Sequence, residues 1–268
     1  MSRTKHILRI AAKAVAACGV LAALGFVERS GGSVPVREIR VELDMASGMH
    51  FIDEEAVRQE VLNGAGPVIG TPIHKVDETG IEQRLRAIPS VAEADVYHTM
   101  DGILHVKARQ REPLVRVVNA DGTGFYIDKE GWTMPLSDHY TARVMVVTGQ
   151  LHEPFATCAP VNVAQGNDSL ALHTHSRAIH GLARNITADP LWKAMFGQAV
   201  MDQQGEFTLI PSVGMMQVRI GAGDDLPQRL AKLRMFLDEG ISQTDWRRYR
   251  TIDLRFDDQV VCTKRTHY

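Results

Sequence analysis

The stretch RLRAIPSVAEADVYHTMDGILHVKAR, Arg84–Arg109, decides how the first half of this chain folds. It opens on the end of a helical pattern and breaks at Pro89. Two strand-like runs follow, from Val91 to Tyr97 and from Ile103 to Arg109, joined by Met100-Asp101-Gly102. Asp-Gly between two alternating runs is a favoured hairpin dipeptide. Upstream, Ile81, Leu85 and Ile88 recur at helical spacing, and Thr79 with Glu82 has the spacing of a capping box. An earlier helix is predicted from Asp53 through DEEAVRQEVLN. Its acidic first turn suits the helix dipole, and Ala56, Val57, Val61 and Leu62 form its apolar stripe. Gly64, Gly66 and Pro67 stop it. Before that, VREIRVEL (Val36–Leu43) alternates as a half-buried strand. The expectation is a β-α-α-β-β unit over residues 36–111.

From Glu112 onward strands and turns dominate. PLVRVVN, FYID and WTMPL, punctuated by ADGTG and KEG, read as a meander, and RVMVVTG as a buried strand. Residues 155–168 read as a loop before an amphipathic helix over 169–186, with Leu170, Ala171, Ile179, Leu182 and Ile186 directed inward. FTLIP and MQVRI add two strands. A further helix starts at Asp225, with Gln228 at capping-box spacing and Leu230, Leu233, Phe236 and Leu237 on its apolar face. The last stretch, YRTIDLRFDDQVVCTKR (Tyr249–Arg265), alternates Ile252, Leu254 and Phe256 with Thr251, Asp253 and Arg255. Asp257 and Asp258 then interrupt it before the apolar run Val260–Cys262.

Composition narrows the function classes. Of 268 residues, 44% are hydrophobic and 23% charged, which excludes wholesale disorder. A formal net charge of −2 gives no field that would gather nucleic acid. Cys18, Cys158 and Cys262 lack CxxC spacing, and whether Cys158 and Cys262 pair is open. At the N-terminus, Arg3, Lys5, His6, Arg9 and Lys13 precede the apolar segment AVAACGVLAALGFV, residues 14–27. Basic residues on that side put the N-terminus in the cytoplasm and the bulk outside. A membrane helix needs roughly 20 apolar residues and must recruit Ile7 to Ile10. A cleavable signal needs fewer but wants a small-x-small site, which VERSGGS serves poorly. The reading adopted is an uncleaved anchor followed by the flexible linker SGGS, Ser30–Ser33.

Chemistry-bearing motifs are scarce. There is no GxSxG elbow, HExxH, Walker loop or GxGxxG. His173, His175 and His180 are the best metal candidates. Yet His173 and His175 stand about 200° apart on a helix, and no carboxylate lies among them, so a solvated helical surface is the better reading. Asp257 and Asp258 are read as solvated acids in a turn or bulge. Lys107, Arg109, Arg111 and Arg116 are read as charges on solvated strand faces, and Trp132 and Trp246 as core or rim. No catalytic, cofactor-binding or metal-binding residue is assigned; a hydrolase built on His173–His180 is the enzymatic rival.

The unit containing RLRAIPSVAEADVYH and then ILHVKARQREPLVRV resembles a polypeptide-transport-associated (POTRA) domain running into a second β-rich domain. The segments GFYIDKEGWTMPL, FTLIP and YRTIDLRFDDQVVCTK resemble the β domain of the bacterial cell-division FtsQ/DivIB family. The order of basic tail, anchor, POTRA and β domain extends the resemblance over nearly the whole chain. It implies an α+β fold: a single transmembrane helix, the β-α-α-β-β POTRA domain, then a β-rich domain with two helices. The segments would be 1–33 (tail, anchor and linker), 34–111 (POTRA) and 112–268 (β domain).

The resemblance also implies a non-enzymatic, single-pass inner-membrane scaffold at the division septum, periplasmic in bulk. Its partners would be FtsB/FtsL-type division proteins, with no nucleic acid and no small-molecule substrate. Contact is implied at the end of the β domain, by addition of a partner strand. Through the D-L-R-F match, Arg255 and Phe256 would begin the partner-binding patch, with Gln259, Val260, Val261, Cys262 and Lys264 in the strand that follows. Val260-Val261-Cys262 departs from the endings of other members, so side-chain contacts do not carry over one for one. The residues alone also allow Val260–Cys262 to be an interior strand. The rival from another class is a POTRA-bearing component of outer-membrane protein assembly, which predicts alternating barrel strands of ~10 residues.

Overall fold

The computed structural model describes residues 34–265 apart from 46–47, 65, 139, 157, 166–171 and 242–247, and upstream of these only 13, 15 and 19. The expected anchor therefore lies almost wholly outside the described residues. Among those described, no helix is long and apolar enough to cross a membrane. The described residues fall into two compact units, divided along the chain as Met1–Ala46 with Ile52–Gln110, and Ser47–Phe51 with Arg111–Tyr268.

The first unit has the expected order: β1 (Glu38–Asp44), α1 (Glu54–Asn63), α2 (Glu78–Ala87), β2 (Val91–His98) and β3 (Ile103–Gln110). β3 lies in the middle, parallel to β1 and antiparallel to β2. The hairpin closes at Gly102, whose φ of 86° suits only glycine well. A Cβ there would also sit 2.6 Å from the Pro35 carbonyl oxygen. Asp53 caps α1 by accepting a hydrogen bond from the Ala56 amide at 2.7 Å. Val57 and Val61 are buried as expected, but Ala56 is exposed. The cap of α2 is Asp77 rather than Thr79: its carboxylate accepts from the Gly80 amide at 3.0 Å. Ile81 and Leu85 join Val57, Val61, Val96, Leu104 and Val106 in one core. Full burial of each such side chain contributes about 1.5–3 kcal/mol. Ile88 sits at the C-cap, half-buried.

The second unit is built on β4 (Pro113–Val118), β5 (Gly124–Asp128), β6 (Thr133–Pro135), β7 (Met145–Gly149), β8 (Phe196–Met201), β9 (Phe207–Pro211), β10 (Gln217–Gly221), β11 (Tyr249–Asp253) and β12 (Val261–Lys264). Its helices are α3 (Ser176–Ala188), α4 (Pro190–Met195) and α5 (Leu226–Met235). Among the described residues the strands form one sheet, in the order β12-β11-β10-β9-β8-β7-β4-β5-β6. A single cross-strand row passes through every strand: Cys262, Ile252, Val218, Leu209, Ala199, Val147, Val117, Phe125 and Pro135. Ile179, Leu182 and Ile186 of α3 and Leu230 and Leu233 of α5 share the core with this row.

Four expectations for this unit are revised. α3 begins at Ser176 rather than 169, and Leu170 and Ala171 lie outside the described residues. α4 and β8 were not foreseen; the Gly197-Gln198 pair interrupts the apolar alternation of β8. Asp225 adopts a left-handed conformation (φ 53°) and its side chain makes no capping bond. β11 ends at Asp253, so Phe256 does not continue its core face and is 44% exposed.

Candidate functional site

β12 is the end strand of the nine-stranded sheet, so it is not interior. It pairs antiparallel with β11, matching Asp253 to Val261, Ile252 to Cys262 and Thr251 to Thr263. The Arg265 amide donates inward to the Arg248 carbonyl at 2.8 Å. Backbone direction alternates residue by residue along a strand, so the amides of Thr263 and Val261 also point inward. Those of Cys262 and Lys264 then face the far edge. Among the described residues, nothing is bonded to that edge. Val260 and Cys262 pack against the core, half-buried, while Val261 is 39% exposed and Gln259, Thr263 and Lys264 are also exposed. Burial pushes the Cys262 thiol pKa up. Cys158 and Cys262 are both free.

Each of the other end strands has backbone groups that are bonded by side chains or by a loop. On β1, the Arg58 guanidinium donates to the Ile39 carbonyl at 2.7 Å. On β2, the Glu82 carboxylate accepts from the Val96 amide at 3.0 Å, and Arg86 donates to the Ala94 carbonyl at 2.5 Å. On β6, Thr133 exchanges two 2.9 Å bonds with Val161: its amide donates to the Val161 carbonyl, and its hydroxyl oxygen accepts from the Val161 amide. Unpaired strand edges invite pairing with another chain, and proteins block those they do not use. β12 has no such plug among the described residues.

The approach to β12 is held in place from both sides. Arg255 donates to Asp253 at 2.9 and 2.7 Å and to Glu206 at 2.7 Å. Arg219 lies 3.3 Å from Glu206 and 3.9 Å from Asp253. Burial raises the pKa of the Asp253 carboxyl, but its bonds to Arg255 and the charges of Arg255 and Arg219 outweigh that and hold it below the usual range. The same bonds hold the Arg255 guanidinium above its ordinary value. Lys232 of α5 donates to the carbonyls of Leu254 (3.4 Å), Asp257 (3.1 Å) and Phe256. Asp257 and Asp258 are exposed acids in the turn that follows.

The remaining candidates do not assemble into a site. His180 is buried on α3 against the Lys129 carbonyl at 3.3 Å, and burial lowers its pKa. The His175 amide donates to Glu153 at 2.9 Å. No group of three or more metal-ligating side chains occurs among the described residues. The basic cluster separates into individual pairs: Lys107 with Glu42 (3.5 Å), Arg109 with Glu93 (2.7 Å), and buried Arg111 with Asp128 (3.0 Å). Arg116 stands apart from them, half-buried on β4. Arg111 also lies over the Trp132 ring at 4.9 Å, and Trp246 is outside the described residues.

A family model described as FtsQ/DivIB, C-terminal related, matches residues 112–263. The chain belongs to the FtsQ/DivIB family. A POTRA-like domain model matches residues 36–109, the first unit. The Cell division protein FtsQ of Salinibacter ruber is 26% identical over 268 residues, spanning 97% of this chain and 95% of that protein. The Cell division protein FtsQ of Rhodothermus marinus is 27% identical over 205 residues, spanning 74% of this chain and 69% of that protein. The FtsQ/DivIB match includes Arg255, Phe256, Gln259, Val260, Val261 and Cys262 and ends one residue before Lys264. Sequence reasoning missed the edge plugs Arg58, Glu82 and Arg86 and the clamp Lys232. Each binds a backbone group distant in sequence, which no local pattern announces.

Proposed function

We propose that the chain is a non-enzymatic scaffold of the bacterial division machinery that accepts a strand from an FtsB/FtsL-type partner along β12. Family membership and relatives named Cell division protein FtsQ support the cell-division role. The observation that carries the finer reading is the contrast between the plugged edges of β1, β2 and β6 and the open edge of β12. An added strand would bond to backbone groups there, which provides affinity, while alternate side chains set specificity. Gln259, Val260, Val261, Cys262 and Lys264 would line the contact. Phe256 would present its exposed ring at the turn. Arg255, committed to Asp253 and Glu206, would position the edge rather than touch the partner. In this reading the N-terminal basic and apolar segments anchor the scaffold in the inner membrane, with both units in the periplasm at the septum; the charge asymmetry of the N-terminus supports that orientation. The open sheet, with helices packed on one face, does not favour the outer-membrane assembly reading.

The test is a titration of the full-length protein with the extracytoplasmic segment of the organism's FtsB-like protein. Lys264→Pro deletes an amide that faces the open edge, and Lys264→Ala controls for the lost side chain. Saturable binding by wild type and Lys264→Ala, weakened tenfold or more in a folded Lys264→Pro, is expected. Equal binding by all three would remove the edge from the account.

A further inference from the structure

Four cations gather at the open end of the β11–β12 hairpin: Arg248, Arg250, Lys264 and Arg265. Lys264 is in register with Tyr249, and Arg265 bonds through its amide to Arg248. The Arg265 guanidinium donates to the Tyr249 carbonyl at 3.3 Å and approaches the Met215 sulfur at 3.4 Å. Arg248, Arg250 and Lys264 are exposed. Among the described residues, none of the four is paired with a carboxylate. Elsewhere in this unit some cations, among them Arg111, Lys129, Arg219, Arg234 and Arg255, are paired with acids. The other end of the same edge is acidic, with Asp257 and Asp258 exposed at the turn. At ~3.3 Å per residue β12 itself spans roughly 10 Å, and Asp257 and Asp258 lie beyond its far end. The separation exceeds the Debye length of about 8 Å at physiological salt, so each end acts on its own nearest charges.

We infer that this edge selects the direction and charge order of the strand it accepts, and that the accepted polypeptide is acidic where it passes Lys264, in front of the Arg248–Arg250 cations. The inference rests on the strand-addition reading above. A strand laid in one direction brings its acidic end to the arginines and leaves the aspartates unopposed by like charge. The reverse direction sets like charges side by side at both ends, which disfavours it. Backbone hydrogen bonding alone discriminates poorly between directions, so the charges supply what the ladder lacks. Exposed Val213 and Met215, in the turn joining β9 and β10, lie at this same end and provide apolar surface beside Arg265. Lys264 lies on the edge strand and Arg265 directly after it, with Arg248 and Arg250 on the neighbouring β11 side. Cations beside a hydrogen-bonding edge fit an acidic polypeptide better than a lipid headgroup layer.

The experiment uses the full-length protein and the extracytoplasmic segment of the FtsB-like partner at low and high salt. The variant carries Arg248→Glu, Arg250→Glu and Lys264→Glu; Arg265 is kept because it holds Tyr249. A gentler set with glutamine at the same positions covers the case in which the glutamates unfold the hairpin. Expected are affinity that falls with salt in wild type, at least tenfold weaker binding by the variants, and rescue of the glutamate variant by acid-to-lysine changes in the segment. Wild-type binding that neither salt nor these changes affect would overturn the charge reading and leave the edge reading intact. No wild-type binding at all would remove the edge reading itself. Binding of the segment unchanged, together with a Val213→Trp emission shift specific to phosphatidylglycerol vesicles over phosphatidylcholine, would assign the cations to lipid and also overturn the inference.

Discussion

Arg255 holds Asp253 through bonds of 2.9 Å to one carboxylate oxygen and 2.7 Å to the other, the two residues flanking Leu254 at the end of β11. Asp253 is only 8% exposed, so this pair is part of the framework that presents β12. Removing the guanidinium would leave a largely buried carboxylate short of partners.

Arg255→Ala should therefore destabilise the protein by about 1.5–3 kcal/mol at neutral pH, the range for hydrogen bonds to charged groups. The pH dependence has a defined sign. Asp253 titrates lower when folded than its unfolded value of about 3.9, so its pairing stabilises above that pH. The contribution disappears as pH falls through the lower, folded value. Denaturant melts of both proteins at neutral and acidic pH should show the gap between them narrowing in acid. A gap independent of pH would mean that the pair does not stabilise through charge.

Unplugging β2 should create a new sticky edge. Glu82→Ala with Arg86→Ala frees the Val96 amide and the Ala94 carbonyl, which Glu82 and Arg86 now occupy. Analytical ultracentrifugation should show greater self-association than wild type at equal concentration, with the fold retained. A folded double variant that sediments like wild type would mean that these side chains do not guard the edge.

Leu85 is fully buried between α2 and the three-stranded sheet. Leu85→Ala should cost about 2–5 kcal/mol through lost transfer energy and the cavity left behind. Thermal denaturation checks this, and an unchanged melting temperature would contradict the packing of α2.

Much of the first unit was legible because its signals are local. Ile81 and Leu85 recur at helical spacing, Asp101-Gly102 fixes the hairpin, and β2 and β3 alternate. The cap of α2 was misread because two candidates overlap: Asp77 with Gly80 and Thr79 with Glu82 both have the right offset. The backbone chose Asp77, and Glu82 went to the edge of β2 instead. In the second unit, β8 was hidden by Gly197 and Gln198. The terminal position of β12 is a different kind of fact. It depends on β11 pairing parallel to β10 across α5, so that β12 has a neighbour on one side only. The apolar run Val260–Cys262 shows that the strand is sticky; only the topology determines which side of it is open. The role of Arg255 was obscured for the same reason, since Glu206 lies 49 residues away in sequence.

Backbone amide exchange of residues 261–264, with and without the partner segment, tests strand addition most directly. Lys264 and Cys262 carry the amides that face the open edge. Exchange there should slow markedly in the complex while β1 and β2 of the first unit remain unchanged. Tight binding with unaltered exchange across β12 would contradict strand addition and place the contact elsewhere on the molecule.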